Sequence, residues 1–225
     1  MRKLGWFSCG IASTMACLYE PDAELYYIEI GTAHPDNDRF IADFERVTGR
    51  KVNIIHQGKY KDQFEVIEKV RYINGPTGAA CTRELKMEAR YQVQKPGDAN
   101  VFGFTVEEYH RFSRQELRHP EFLTLAPLIV RGMTKKMAHD EFKKLGIKEP
   151  FIYSLGYKNN NCIGCVKGGQ GYWKKIREDF PAYFQKMAEL ERELNHSCIK
   201  GKFLDELPDG APLFASVPQC SSFCE

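Results

Sequence analysis

Short apolar runs separated by helical stretches restrict this chain to few architectures. The runs fall at residues 3–7, 25–30, 52–56, 100–104 and, less sharply, 123–128. Between them, apolar side chains recur at helical spacing over 13–19, 37–48, 63–72, 82–94 and 106–118. Gly49 follows the second helix as a stop, and Pro96-Gly97-Asp98 precedes the fourth strand. Strands joined through helices by short connections pair in parallel and take right-handed crossovers. The expectation is an α/β fold: a doubly wound, mostly parallel five-stranded sheet with helices on both faces. Residues 1–225 should form a single domain, with the α/β core in 1–130, a helical region in 131–196 and an extended tail in 197–225. Ligands of such sheets bind outside the C-terminal strand ends, the edge that receives the Ser8 loop, the Gly31 loop and Gly103.

The pattern changes after Pro127. Thr134 can cap a helix running to about Leu145, with Gly146 as its stop. Residues 151–172 read as a Gly- and Asn-rich loop carrying Cys162 and Cys165. A long helix should follow, with Phe180, Phe184, Met187, Leu190 and Leu194 forming a core-facing stripe. The tail, with Pro208, Pro212 and Pro218, has little periodicity.

Composition narrows the class. The 225 residues are 43% hydrophobic and 28% charged, ordinary for a globular chain and unlike a disordered one. No run approaches 18 apolar residues and the N-terminus enters a strand directly, so the chain is expected to be soluble and cytoplasmic. A net charge of +2 does not make a general nucleic-acid binder. The pairs Lys135-Lys136, Lys143-Lys144 and Lys174-Lys175 read as solvated surface. Eight cysteines without a signal-like segment point to metal binding or thiol chemistry rather than a disulfide framework.

Two segments carry chemistry. Residues 6–14, Trp-Phe-Ser-Cys-Gly-Ile-Ala-Ser-Thr, place a small-residue loop between a strand and a helix, where backbone amides and the helix dipole favour an anion. The loop has neither the Lys of G-x-x-x-x-G-K-[S/T] nor the spacing of G-x-G-x-x-G. Cys162-Ile163-Gly164-Cys165 directs two thiols at one point and suits zinc, an iron–sulfur cluster or a redox dithiol alike.

In combination these segments resemble the phosphoadenylyl-sulfate reductase-like family of PP-loop proteins, in its iron–sulfur branch. Ser8-Cys9-Gly10-Ile11-Ala12-Ser13 is similar to that family's S-G-G-x-D-S pyrophosphate loop. Leu25 to Gly31, then Pro35-Asp36, resembles I-D-T-G-x-x-x-P-E, and Gly156-Tyr157 with Cys162 to Cys165 resembles G-Y-x-S-I-G-C-x-x-C. Eighty residues separate Cys81 from Cys162, as in the C-C-x80-C-x-x-C pattern. The resemblance covers about residues 4–165.

It implies that residues 1–130 bind an adenine nucleotide, ATP or adenylyl sulfate, with Ser8, Cys9, Gly10, Ser13 and Thr14 around the phosphate or sulfate. Gly31 would lie beside the adenosine. Gly103-Phe104, then Glu108 and Arg111, is similar to G-x-R-x-x-Q-S-x-x-R with the Arg one residue early, making Gly103 and Arg111 binding candidates. Arg83, Lys86 and Arg131 are further candidate anion contacts that read equally as surface charges. His34 and His56 read as polar loop residues.

The resemblance also places Cys81, Cys162 and Cys165 on a 4Fe–4S cluster, with zinc as the alternative. Ala80 stands where the family has a second Cys, so the fourth ligand is Cys224, or Cys220, or the site is open. Cys17 reads as core, and nothing in the sequence gives Cys198 a role. Ala12 replaces the Asp of the ATP-cleaving branch. The tail Gln219 to Glu225 has a terminal Cys but lacks the Gly and His of the reductases' E-C-G-x-H.

The implied activity is sulfur transfer: adenylation of a substrate, then its thiolation. One alternative is thiol-dependent reduction of adenylyl or phosphoadenylyl sulfate to sulfite, with Cys224 or Cys220 as nucleophile. The other is a nucleotide- or cluster-sensing module without turnover. The expected partners are an adenine nucleotide, a thiol reductant and a sulfur acceptor such as tRNA or a small heterocycle. No membrane is involved, and a homo-oligomer is compatible with the reading.

Overall fold

The computed structural model of the chain describes residues 1–56 and 58–210; Cys220, Cys224 and the end of the predicted tail lie outside the described residues. These fall into two compact units that interleave along the chain. One comprises 1–29, 35–55 and 90–160, the other 30–34, 56–89 and 161 onward.

The first unit holds a parallel sheet in the order β3-β2-β1-β6-β7. Its strands are β1 (Lys3–Trp6), β2 (Glu24–Ile28), β3 (Val52–Ile55), β6 (Ala99–Val101) and β7 (Leu123–Leu125). All four pairings are parallel, with Gly5 beside Leu25 and Val101. The five predicted runs are these strands, and the sheet is wholly rather than mostly parallel. From β1 the chain works outward to β3, then returns to β1's other side with β6. Right-handed crossovers therefore lay the helices that follow β1 and β2 on one face and the helix that follows β6 on the other, the doubly wound arrangement, and the order reverses between β1 and β6.

Helix α1 (Ile11–Leu18) packs on β1, α6 (Pro127–Val130) and α7 (Lys135–Lys143). Helix α2 (Asp36–Thr48) starts with Asp36 and Asp38 near its positive end and stops at Gly49 with φ 69°. Thr134 caps α7 by accepting from the Met137 amide at 3.2 Å, and Gly146 has the left-handed φ of 68° a helix stop requires. Phe7, Met15, Phe40, Phe44 and Phe142 lie in one buried core with Cys17, which is a core residue as expected. Helix α5 (Tyr109–Arg118) follows β6, and α8 is the single turn Phe151–Ser154, inside what the sequence suggested was loop.

The second unit contains α3 (Gln63–Val70), the hairpin β4 (Asn74–Gly75) and β5 (Gly78–Ala79), and a π-helical turn Thr82–Met87 that runs into α4 (Glu88–Tyr91). The hairpin has no apolar alternation and was not foreseen. The predicted long helix is two, α9 (Gln170–Asp179) and α10 (Pro181–Leu194). Pro181 excludes the helical conformation at Phe180, whose φ −140° and ψ 60° turn the chain. The stripe on α10 does face inward: Phe184, Met187 and Leu190 are buried against α3 and α9. Lys174 is also buried, against expectation, because Tyr172, Trp173 and Lys174 are successive enclosed positions of α9. No described helix is long and apolar enough to cross a membrane.

Candidate functional site

The reversal of strand order puts the loop after β1 and the end of β6 at the same edge, and the backbone makes that edge tight. A Cβ on Gly103 would lie 2.5 Å from the Ser13 nitrogen and 2.6 Å from the Ala12 carbonyl carbon. Only glycine lets the end of β6 meet the first turn of α1 this closely. Cys9 adopts φ 56°, the left-handed region that the family pattern fills with glycine. Gly10 after it is extended, with φ −92° and ψ 150°, so the chain turns sharply at Cys9 before entering α1.

The hydroxyls fasten this loop. Ser13 Oγ donates to the Gly10 carbonyl at 2.8 Å and accepts from the Ser8 amide at 3.2 Å. With its hydrogen so engaged, it also accepts from the Ser8 hydroxyl at 2.9 Å. Thr14 Oγ1 donates to the same Gly10 carbonyl at 3.0 Å. Ser8, Gly10, Ser13 and Thr14 thus form one clasp, with Gly103 against it. The first turn of α1 carries no acidic side chain of its own.

Two residues outside the predicted set complete the loop. Tyr153 on α8 accepts from the Ile11 amide at 3.3 Å, and burial pushes its phenol up to about 12. It stays protonated at working pH and keeps a hydrogen to donate. Asn160 Nδ2 donates to the Cys9 carbonyl at 2.9 Å and to Asn37 Oδ1 at 2.7 Å, holding the strained residue from outside. Burial, with Asp38 and Asp36 adding to it, holds the Cys9 thiol well above its ordinary range, which disfavours its thiolate.

The other nucleotide candidates have local partners. Arg111 pairs with Glu108, a buried carboxylate, and lies over Phe104. Lys135 Nζ also approaches Glu108, at 3.9 Å. Arg131 donates to the Pro127 carbonyl and covers Tyr19, and Arg83 pairs with Glu84. Gly31 belongs to the second unit, where a Cβ would lie 2.6 Å from the Lys61 carbonyl oxygen, a packing reason for that glycine. His34 contacts Phe180 edge-on.

The thiols lie in the second unit. Gly164 has φ 74°, which bends the C-x-x-C segment. Tyr172 clamps that turn, its hydroxyl accepting from the Cys165 amide at 2.9 Å and donating to the Cys162 carbonyl at 3.1 Å. Ile163 is fixed on both sides: its amide donates to the Thr32 carbonyl and its carbonyl accepts from Gln63 Nε2, each at 2.8 Å. The amides of Ile163 and Cys165 therefore serve oxygen acceptors rather than sulfur. Cys81 opens the π-helical turn, beside a pocket of about 120 Å³ lined by Tyr72, Thr77, Ala80, Thr82 and Arg83. No disulfide joins two described cysteines.

The chemistry of this donor set fits a thiophilic metal or an iron–sulfur cluster. The spacing does not close by itself: among the described residues, no three His, Cys, Asp or Glu side chains are placed to hold one metal ion.

Cys198, unassigned by the sequence, is part of this region. Burial first, then the Glu191 carboxylate, then the Cys81 thiol push its pKa well above the ordinary range. Only folding brings these groups together, so no local spacing announces them. Comparison of the chain with family models, with curated proteins and with solved structures finds no match.

Proposed function

We propose that this protein is a PP-loop enzyme that binds an adenine nucleotide at the Ser8–Thr14 loop and uses thiols of the second unit in sulfur transfer. The carrying observation is the loop itself: a left-handed Cys9 and a three-hydroxyl clasp at the point of strand reversal, with Gly103 pressed on the first turn of α1. Backbone amides there suit a phosphate or sulfate, and the Tyr153 hydroxyl has a hydrogen to direct at it. A helix N-terminus without its own carboxylate favours the anion further.

In this reading the loop holds the phosphate chain and orients the leaving phosphate, while Ser13 and Thr14 keep the loop's shape. Cys162, Cys165 and Cys81 would hold the metal group, which when bound supplies a thiophilic centre for the sulfur. The pocket beside Cys81 offers room for an acceptor. Substrate adenylation followed by thiolation is the preferred activity. A specific observation keeps reduction of an adenylyl sulfate as the second reading: Ala12 leaves the first turn of α1 without the Asp of ATP-cleaving loops.

Calorimetry with ATP, adenylyl sulfate and phosphoadenylyl sulfate tests the loop, and absence of binding by all three overturns the assignment. Product analysis on anaerobic enzyme separates the activities. Pyrophosphate or AMP release that depends on added tRNA or a small heterocycle supports transfer. Sulfite formation lost in Cys224→Ser or Cys220→Ser supports reduction. A protein that binds nucleotide and metal but gives neither product is a sensing module.

A further inference from the structure

We propose that the pocket beside Cys81 binds a neutral, single-ring heterocycle with a lactam edge, a ring N–H next to a ring carbonyl. The proposal rests on the sulfur-transfer reading above only for the ring's role as acceptor. The ligand's chemistry follows from the walls of the pocket.

Those walls come from one stretch of chain, residues 72–87, inside the second unit. The π-helical turn forms one of them, its Glu88 amide reaching back five residues to the Arg83 carbonyl. A five-residue step brings Thr82 and Met87 to the same side, whereas at α-helical pitch they would stand about 140° apart. This rare winding lets both line the pocket. The β4–β5 hairpin forms the other wall. Gly75 leaves room for Tyr72 to fold over it, since a Cβ there would lie 2.3 Å from the Tyr72 hydroxyl oxygen. That hydroxyl lies 3.3 Å from Thr77 Oγ1, and the two share one hydrogen bond.

The lining selects the ligand. Ala79, Ala80 and Met87 give the pocket an apolar side that suits a ring face. Thr82 is 4% exposed, and its hydroxyl has no hydrogen-bond partner among the described residues. An enclosed hydroxyl is costly to leave unmet, so a ligand that hydrogen-bonds to it is favoured. The hydroxyls of Tyr72, Thr77 and Thr82 can each give and take a hydrogen bond, which matches the adjacent donor and acceptor of a lactam. No carboxylate or ammonium lines the pocket, and Arg83 at its edge is already paired with Glu84 at 2.9 Å. A neutral ligand therefore suits it better than an ion. The space of about 120 Å³ is close to the roughly 150 Å³ that admits one benzene ring, so a fused purine would leave a ring outside.

The test is calorimetry and amide-resolved NMR on the full-length chain, with uracil as the probe beside benzene, adenine and orthophosphate. Uracil should shift the amide signals of residues 77–83, and the other probes should bind at least about tenfold more weakly. Thr82→Val keeps the shape and removes the hydroxyl; it should weaken uracil by about fivefold, with ATP binding unchanged. Thr77→Val, at the exposed rim, should weaken uracil by about twofold and guards against misfolding of Thr82→Val. Wild-type uracil affinity in both variants overturns the assignment, as does tighter binding of benzene or orthophosphate. Signal shifts confined to residues outside 72–87 also overturn it. A wild-type chain that binds ATP but no uracil overturns the pocket assignment and leaves the nucleotide loop standing. One that binds uracil here but no nucleotide does the reverse.

Discussion

The anion loop and the thiol region are built on opposite plans. The loop is assembled from consecutive residues, and the groups proposed to recognise an anion are backbone amides whose direction follows from φ and ψ. Its shape is fastened by Ser13 and Thr14 on the Gly10 carbonyl and by Ser8 on the Ser13 hydroxyl. The thiols come from three distant segments joined by a few long-range polar contacts at Asn74 and Tyr172. There the backbone is fixed while the sulfurs are not gathered. Under the proposed function, such a loop would bind with little reorganisation, whereas thiols so arranged would have to be gathered as a metal enters, coupling binding to local order.

Substitutions can break the comparison by affecting one region and not the other. The largest effect belongs to Gly103→Val, whose Cβ would press into the backbone of Ser13 and Ala12. It should cost about 3 kcal/mol of stability, the upper end for overpacking, and abolish nucleotide binding. Denaturant unfolding and calorimetry read both. If metal content per chain falls as well, the two regions are not independent. The reciprocal variant is Asn74→Ala, which leaves the Val166 and Cys198 carbonyls without their donor. A loss of about 2 kcal/mol is expected, with nucleotide affinity unchanged. Unaltered stability would remove Asn74 from its place between these segments.

A third measurement sharpens the description of the loop-bearing unit as a dry, packed body. Burial raises the Cys17 thiol from 9.0 to about 12. The folded chain keeps that proton while the unfolded chain releases it above 9, so stability is full below pH 9 and falls as pH rises toward 12. Cys17→Ala should remove about 1.4 kcal/mol per pH unit from that slope, measured by urea unfolding at pH 8.5, 9.5 and 10.5. An unchanged slope would mean that water reaches Cys17. The smallest effect is Tyr153→Phe, which takes an acceptor from the Ile11 amide. Nucleotide affinity should fall by about fivefold, near 1 kcal/mol, with the fold intact.

What could be read in the sequence follows the same division. Each strand of the sheet is a local apolar run, so spacing located it, whereas the loop of residues 6–14 was proposed as an anion site only through the resemblance of several segments together. The C-x-x-C is equally local. Tyr153 lies 142 positions from the amide it meets, and Asn74 lies 124 from Cys198. Neither side chain has a pattern around it, because its role exists only after folding. The break at Phe180 escaped notice for another reason: Pro181 is tolerated at the first position of a helix, and the apolar stripe continues across it. The hairpin Asn74–Ala79 is too short to have a period. Hydroxyl direction is likewise invisible in a string of letters; Ser13 turns its hydrogen to the loop's own carbonyl.

The interleaving of the two units has a genetic consequence. Each is written in three separate stretches of the chain, so no single cut yields either one whole. A recombination event that exchanged residues 1–89 or 90–225 would carry fragments of both. The loop after β1 and the thiols are therefore carried together, and neither can be lent to another protein by simple fusion.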